Sequence, residues 1–570
     1  MNAWSRRAAL AVAALWGISS AAAAQAPVWS GYAEDPQHTS VSAFASDNLT
    51  TIAWQTTLDQ QPLYSGNGDL LIHYGSPLIT AADTVVVPVK LSATGSNASG
   101  GNFLVEGLNG ASGQTLWSQT TDYVLPPHDW TPVYSPALTP SNGLYYGGAG
   151  GTVYFRANVN SASAPTPTQF AFYGLATYNA NPSAYNSSVF IDTPITSDSA
   201  GDIFFGYQVV SNPNNLVLSS LGTGGIARIS STGVGTWVTA FTASGDPSMI
   251  KAVQNNAPAL SNDGSTLYIA VNSNNNPGYY GGGPGYVLAL SSTTLATIGQ
   301  VQPIDPVSHS ASPLADDSTA SVTVGPDGSV YFGVLDNAGT SRGWLMHYSA
   351  NLATTMTPGG FGWDDTASIV PASMIPTALY HGSSSYLLMV KYNNYFETGG
   401  GGQNMIAILD PTAAVTDNLR NNSTGAQIMQ PILEMLGVTP DTTAGAPAGA
   451  LREWCINNAV VDPATDSVLV TSEDGSLYRW NLGTDTFTQI LSLSSALGEA
   501  YTPTLIGPTG TVFALNNGVL FAVVPEPGTL TLAGIGAAIG LCVVWKRRKL
   551  GAGRVRRGNT ISIFKFESST

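Results

Sequence analysis

Seven times along the chain, acids, amides and aromatics stand just ahead of a short apolar segment: His73 and Tyr74, Asp129 and Trp130, Asp192, Asn255 and Asn256, Asp316 and Asp317, Trp454 and Asn457, and Glu499 and Tyr501. Aromatic faces stack on sugar rings, carboxylates and amides hydrogen-bond hydroxyl groups, and the negative charge attracts a cation. If the segments behind them lie side by side, the seven groups form one polar rim, suited to a glycan or a cation-bearing partner. The competing structural role is plain: Asp and Asn cap turns, and Trp and Tyr pack between sheets.

Catalytic patterns are poorly represented. The six histidines, His38, His73, His128, His309, His347 and His381, have no metal-ligand spacing, and no serine stands in a Gly-x-Ser-x-Gly elbow. They read as loop or core residues. "SNDGST" and "GPDGSV" lack the alternating oxygen ligands of a calcium loop and read as turns. The stretches "YNNYFETGGGGQNM" and "NNNPGYYGGGPGY" open no helix with a phosphate-binding lysine, so they read as hairpin loops. Of the two cysteines, Cys542 lies in a C-terminal apolar run and Cys455 is alone in the body, which excludes an intramolecular disulfide there. Cys455 is expected as a small buried apolar thiol, because no cation cluster is evident to lower its pKa. These absences favour binding over catalysis and call for no metal.

The elements that would position the rim repeat through the body. "SPALTPSNGLYYGG" at Ser135, "TPITSDSAGDIFFG" at Thr193 and "APALSNDGSTLYIA" at Ala257 share a small residue with Pro, a short apolar strand, a Gly or Asp turn and an aromatic strand. Variants begin at Ser76, Ser321, Ala459 and Thr502, and a fainter copy lies between Ser373 and Asp410. Each unit continues with one or two more strands, such as "TVYFRAN" and "YVLALSS". Units of roughly 40 to 60 residues with four short strands are propeller blades, each burying its faces against its neighbours. The fold is therefore all-β: a single closed propeller of four-stranded blades, eight in number, or seven without the faint unit. The first strand of each blade lines the central channel, so the residues ahead of it converge at one mouth.

Closure is also legible. The last unit has only "TPTLIG", "TVFALN" and "VLFAVV", while Leu49 to Leu58, "LTTIAWQTTL", precedes the first unit as an orphan. Its "AWQTT" echoes "LWSQTT" at Leu116 to Thr121, the fourth strand of the first blade. The N-terminal strand is expected to complete the last blade, with Thr51 to Thr57 paired to Val519 to Val523, leaving no free edge. A helical or irregular insertion is expected at about 411–457, with Ile428, Ile432, Leu433 and Leu436 at helical spacing.

Both ends of the chain read as targeting segments. Arg6 and Arg7 precede the apolar stretch Ala8 to Ile18, and Ala22, Ala23 and Ala24 precede Gln25, so residues 1–24 form a secretory signal peptide. At the other end Pro525, Glu526 and Pro527 precede an apolar run, 529–545, that would make a transmembrane helix of about 25 Å. Lys546, Arg547, Arg548 and Lys549 follow. Cations stay cytoplasmic, so the body, 25–524, lies outside the cytoplasm and the tail to residue 570 inside. That body holds nine Lys and Arg against 33 Asp and Glu, a field that argues against nucleic-acid binding.

The ordered triple of Pro-Glu-Pro, short apolar run and cationic block resembles the PEP-CTERM sorting signal of exopolysaccharide-producing Gram-negative bacteria. The resemblance implies an exosortase as processing partner and release or transfer of the body to the cell surface. Leu550 to Thr570 extend past the cations, where that signal normally stops, so permanent anchoring is the alternative outcome. The body resembles the quinoprotein-dehydrogenase-like (PQQ-like) propellers through the turn-to-tryptophan pattern in "LNGASGQTLW" ending at Trp117 and "ISSTGVGTW" ending at Trp237, with "WNLGTDTF" at Trp480 looser. Members with activity stack the quinone on a tryptophan, often beside an adjacent cysteine pair, and hold calcium with carboxylates and amides. This chain has no such pair. The reading is an exported, surface-directed propeller, a non-catalytic binding or scaffold module of the envelope or exopolysaccharide matrix, using neither PQQ nor calcium. Its partners are an exosortase-type enzyme, the membrane, and polysaccharide or other envelope proteins. The alternative is a periplasmic quinoprotein-like enzyme with a degenerate cofactor site.

Overall fold

A computed structural model describes residues 25–64, 70–71, 75–91, 103–126, 134–210, 220–274, 282–418, 425–495 and 503–526. Eight antiparallel sheets follow one another around a ring. The first blade is Leu78–Ile79, Thr84–Lys90, Phe103–Asn109 and Thr115–Thr121, in that order from channel to rim. The faint sixth unit is a full blade, Ser368–Pro371, Tyr386–Lys391, Met405–Thr416 and Gln427–Leu436.

Strand chemistry follows depth. In the second strand of the first blade, TVVVPVK, every residue is buried. Neighbouring blades cover both faces of such a strand, so it reads as a continuous apolar run. The outermost strand of the seventh blade, Thr486–Ser492, alternates exposed and half-buried residues because it borders solvent. The glycine of the turn-to-tryptophan pattern is a backbone requirement: Gly113 and Gly233 have φ of 68° and 84°, a left-handed conformation that is cheap for glycine.

Thr51–Thr57 pairs antiparallel with Val519–Val524 in the eighth blade, Thr51 opposite Val524 and Thr57 opposite Val519. The ring therefore closes as the orphan strand predicted. One expectation fails, and one blade departs from the four-strand pattern. Residues 427–436 form a strand paired along Met405–Thr416, not a helix. Ile428 and Met429, adjacent and so on opposite faces of the strand, are both buried, and Pro431 removes an amide that a helix interior would need. The fifth blade has three strands, Thr323–Val324, Val330–Val334 and Trp344–Tyr348. The segment beyond them makes only single bridges, Tyr348 to Thr355 and Leu345 to Gly359, because Pro358 and its glycines interrupt the ladder.

Residues 28–47 form a strap inside the ring, a feature with no sequence period. Trp29 exchanges backbone hydrogen bonds with Ile79 of the first blade, and the Ser30 carbonyl accepts from Leu138 of the second. The carbonyls of Pro36, Gln37, Thr39 and Ser40 then accept from Leu260, Val324, Ile369 and Val461, on blades four to seven in turn. Asp47 finally donates to Gly510 of the eighth. The strap thus bonds seven of the eight blades in chain order before becoming the outer strand of the last. Ala33, Glu34, His38 and Ser40 have positive φ, the cost of turning every few residues around a narrow circle. Strap contacts fall mostly near the ends of the inner strands, so they close the face opposite the mouth.

The signal peptide, the transmembrane run 529–545 and the cations from Lys546 to Lys549 lie outside the described residues. Among the described residues no helix is long and apolar enough to cross a membrane.

Candidate functional site: the channel mouth

Asp192, Asn255, Thr319 and Asp364 stand four residues ahead of the inner strands of blades three to six, and Asn457 stands three ahead in blade seven. The repeat register brings them together. The Asn255 amide donates to the Asp192 carbonyl at 2.7 Å, and Asn255 Nδ2 to the Ser318 carbonyl at 3.4 Å. The Thr319 amide donates to Asp364 Oδ1 at 2.5 Å, and Asn457 Nδ2 to the Thr319 carbonyl at 2.8 Å. Asn256 Nδ2 donates to the Ala320 carbonyl at 3.2 Å. The result is a polar girdle joining five consecutive blades. Tyr32 of the strap reaches its centre, where its hydroxyl meets the Thr319 carbonyl, Thr366 Oγ1 at 2.9 Å and Asn457 Oδ1.

Two lysines sit in the girdle. Lys251 Nζ lies 2.5 Å from Asp316 Oδ1, which also accepts from the Gln254 amide and Asn272 Nδ2. Asn274 Nδ2 donates to the other oxygen of Asp316 at 2.7 Å. Lys391 Nζ lies 3.4 Å from Asp364 Oδ2. Burial alone would lower the Lys391 pKa, yet Asp364 and Asp365 hold it above its usual value. Burial lifts Asp365 to about 8 against the pull of Lys391. Burial also lifts Asp192 well above the carboxylate range, with Lys251 opposing and Asp316 reinforcing. Both Asp192 oxygens are buried without a hydrogen-bond partner, as are both side-chain polar atoms of Gln254 and Oδ1 of Asn255. Such groups favour a neutral acid or an added partner.

The predicted rim divides by depth. Asp192, Asn255, Asn256, Asp316, Asp317 and Asn457 belong to the girdle region and are all buried, Asp192 and Asn457 at 0 % exposure. They form the floor of the mouth, not its exposed lip. Trp454 is 1 % exposed, with its ring against Tyr478 and Phe487 of the seventh blade at centroid distances of 5.1 and 5.8 Å, in a core shared with Met389 and Ile408 of the sixth, so it is a packing residue. His73, Tyr74, Asp129, Trp130, Glu499 and Tyr501 lie outside the described residues. Asp364, Asp365, Lys251, Lys391 and Tyr32 also belong to the site, and the repeat positions read in the sequence did not single them out. Aligning "WDDTASIV" with "DDSTASVTV" would have exposed the first pair, and Lys90 and Lys391 each end the second strand of a blade.

Of the histidines in view, His38 and His347 are buried and His309 and His381 exposed. Cys455 is buried as expected, but its surroundings are not apolar. Its Sγ lies 3.8 Å from carboxylate oxygens of both Glu453 and Glu473. Burial, then Glu473, raises Glu453 to about 8.

Every described cation is engaged. Lys90 pairs with Asp59, Arg228 with Asp202, Arg452 with Asp441 and Arg479 with Asp462. Arg156 lies 4.2 Å over the Trp117 ring, and Arg342 donates to the Asn393 carbonyl. The acidic excess thus stays uncompensated by any free described cation.

A quinone needs an open aromatic face and, in many such sites, a cysteine pair beside it. Among the described residues, Trp454 has its faces covered and Cys455 has two carboxylates for neighbours, so these two do not fit that group.

Comparison with known proteins adds one family match and several likenesses of shape. The model of the PEP-CTERM protein-sorting motif matches residues 523–549. The chain therefore carries this motif, which implies export and recognition by an exosortase. No curated protein matches the chain. Among solved structures it is similar to a europium-containing methanol dehydrogenase at 10 % identity, covering 86 % of this chain and 89 % of that one, with a TM-score of 0.49. It is similar also to the quinohemoprotein alcohol dehydrogenase from Comamonas testosteroni at 11 % identity, 89 % and 82 % coverage and a TM-score of 0.46. BamB from Moraxella catarrhalis is similar at 13 % identity, 84 % and 98 % coverage and a TM-score of 0.35.

Proposed function

We propose that this chain, an eight-bladed ring carrying a PEP-CTERM motif, is an exported and surface-directed binding or scaffold module that performs no catalysis and uses no cofactor. Its ligand is a glycan or a cation-bearing partner of the envelope or matrix, and it docks at the channel mouth. The observation that carries this reading is the asymmetry of the ring. The strap closes one face with backbone hydrogen bonds, while acids and amides gather at the other. The strand preceding the sorting motif, Val519–Val524, ends beside Thr51 on the strap face. A body tethered there leaves its mouth directed away from the tether.

The girdle is buried, so we assign ligand contact to Asp129, Trp130 and Glu499, which precede the inner strands of blades two and eight in the sequence. The test is calorimetric titration of the purified full-length chain with soluble exopolysaccharide from the producing cell, and separately with Ca²⁺. The triple variant D129A/W130A/E499A should lose binding with its melting temperature nearly unchanged. Parental affinity in a folded triple variant refutes the mouth as the site.

A further inference from the structure

The sorting motif is not wholly a free tail. Val524 is the last residue of its strand and pairs with Thr51, the first residue of the closing strand. Pro525 and Glu526, the opening of the Pro-Glu-Pro signature, follow with no linker. Immediately before the closing strand, the Thr50 hydroxyl donates to the Val524 carbonyl at 3.3 Å and accepts from the Glu526 amide at 2.7 Å. One side chain thus brackets Pro525 from both sides. Pro525 has no amide of its own, so the Glu526 amide is the first backbone donor the motif offers beyond Val524, and Thr50 takes it.

We infer that Thr50 is a latch that holds the start of the sorting motif on the folded ring. The latch exists only once the ring is closed, because the strand it precedes, Thr51–Thr57, comes from the opposite end of the body. An enzyme that takes the motif as an extended segment must first release the Glu526 amide from Thr50. Closure of the propeller therefore slows handover of the motif, and Thr50 sets by how much. Thr50 is a positioning residue: it touches the motif's backbone and takes no part in breaking a bond. This inference rests on the export reading only for its consequence, since the contact itself is a property of the fold.

The experiment compares the full-length chain with T50V, which keeps the shape and removes the hydroxyl, and with T50S, which keeps the hydroxyl. Hydrogen exchange of the Glu526 amide is measured on each purified protein. Loss of the C-terminal segment is followed by pulse-chase in a host that processes such signals. T50V should exchange the Glu526 amide and lose its tail about fivefold faster than the parent, the effect of one hydrogen bond on a local opening. T50S should behave as the parent. Equal Glu526 exchange in T50V and parent overturns the latch, and so does faster exchange with an unchanged rate of tail loss. If the parent itself is never processed, the export reading fails, while the exchange comparison still decides whether the contact exists.

Discussion

Replacing Tyr32 with Phe tests whether the strap is part of the fold or merely lies along it. The substitution keeps the ring, which packs with Ala33 and Ala257 and meets His38 edge-on at 5.2 Å. It deletes only the hydroxyl, which lies within hydrogen-bonding reach of the Thr319 carbonyl, Thr366 Oγ1 and Asn457 Oδ1. A hydroxyl has one proton, so it donates once, and here it accepts from Thr366 at most once more. Asn457 Nδ2 still reaches the Thr319 carbonyl in the variant, so that oxygen keeps a donor. Asn457 Oδ1 is left buried beside a phenyl edge. A lost neutral hydrogen bond of about 1 kcal/mol and one stranded buried acceptor at about 1–2 kcal/mol give an expected loss of about 2–3 kcal/mol. Urea unfolding followed by tryptophan fluorescence measures it, since Trp29 at the start of the strap is fully buried. A cycle with T366V should show the two changes to be non-additive by about 1 kcal/mol. A Y32F loss below about 0.5 kcal/mol, or strict additivity with T366V, would mean that the strap contributes nothing through this hub.

Three further outcomes follow from the same geometry. Gly107→Ala would place a Cβ 2.3 Å from the Trp117 indole, which is held by its Nε1 on the Val159 carbonyl and by Arg156 above it; overpacking of about 1–3 kcal/mol is expected in thermal unfolding. Burial lowers the pKa of His38 to about 4, so below about pH 6.5 the unfolded chain binds a proton that the fold refuses, and stability falls as pH drops from about 6.5 to 4. Asn tolerates the positive φ of residue 38 and does not titrate, so H38N should flatten the acid limb of stability against pH; an unchanged slope would exclude His38 as a source. Glu453 is raised to about 8. Between about pH 4.5 and 8 the fold keeps a proton that the unfolded chain has lost, so stability falls as pH rises through that window. Glu453→Gln should remove that fall, and denaturant titrations at pH 5 and pH 9 will show whether it does.

The sequence by itself determined the repeating part of this protein. Each blade folds from contiguous residues, so its period-two strands, its Gly and Asp turns and its small-residue starts are local signals that survive in one chain. Even closure was legible, because the orphan Leu49 to Leu58 resembles the outer strand of the first blade and the last blade lacked one. At Gln427–Leu436 the local signal was ambiguous: apolar residues at 428, 432, 433 and 436 suit a helix, and only pairing along Met405–Thr416 made them a strand. The strap was not legible at all. Its bonds to seven blades run through backbone amides and carbonyls, which are the same in every residue, and its side-chain contacts, that of Tyr32 among them, occur once each and form no repeat. Depth at the mouth was decided in three dimensions too. The repeat register pointed to Asp192, Asn255 and Asn457 ahead of the inner strands, but their burial depends on what packs over them, such as Tyr32, which arrives from the strap to meet Asn457. Burial is set by what distant parts of the chain bring to a place, and that is written in no single stretch of sequence.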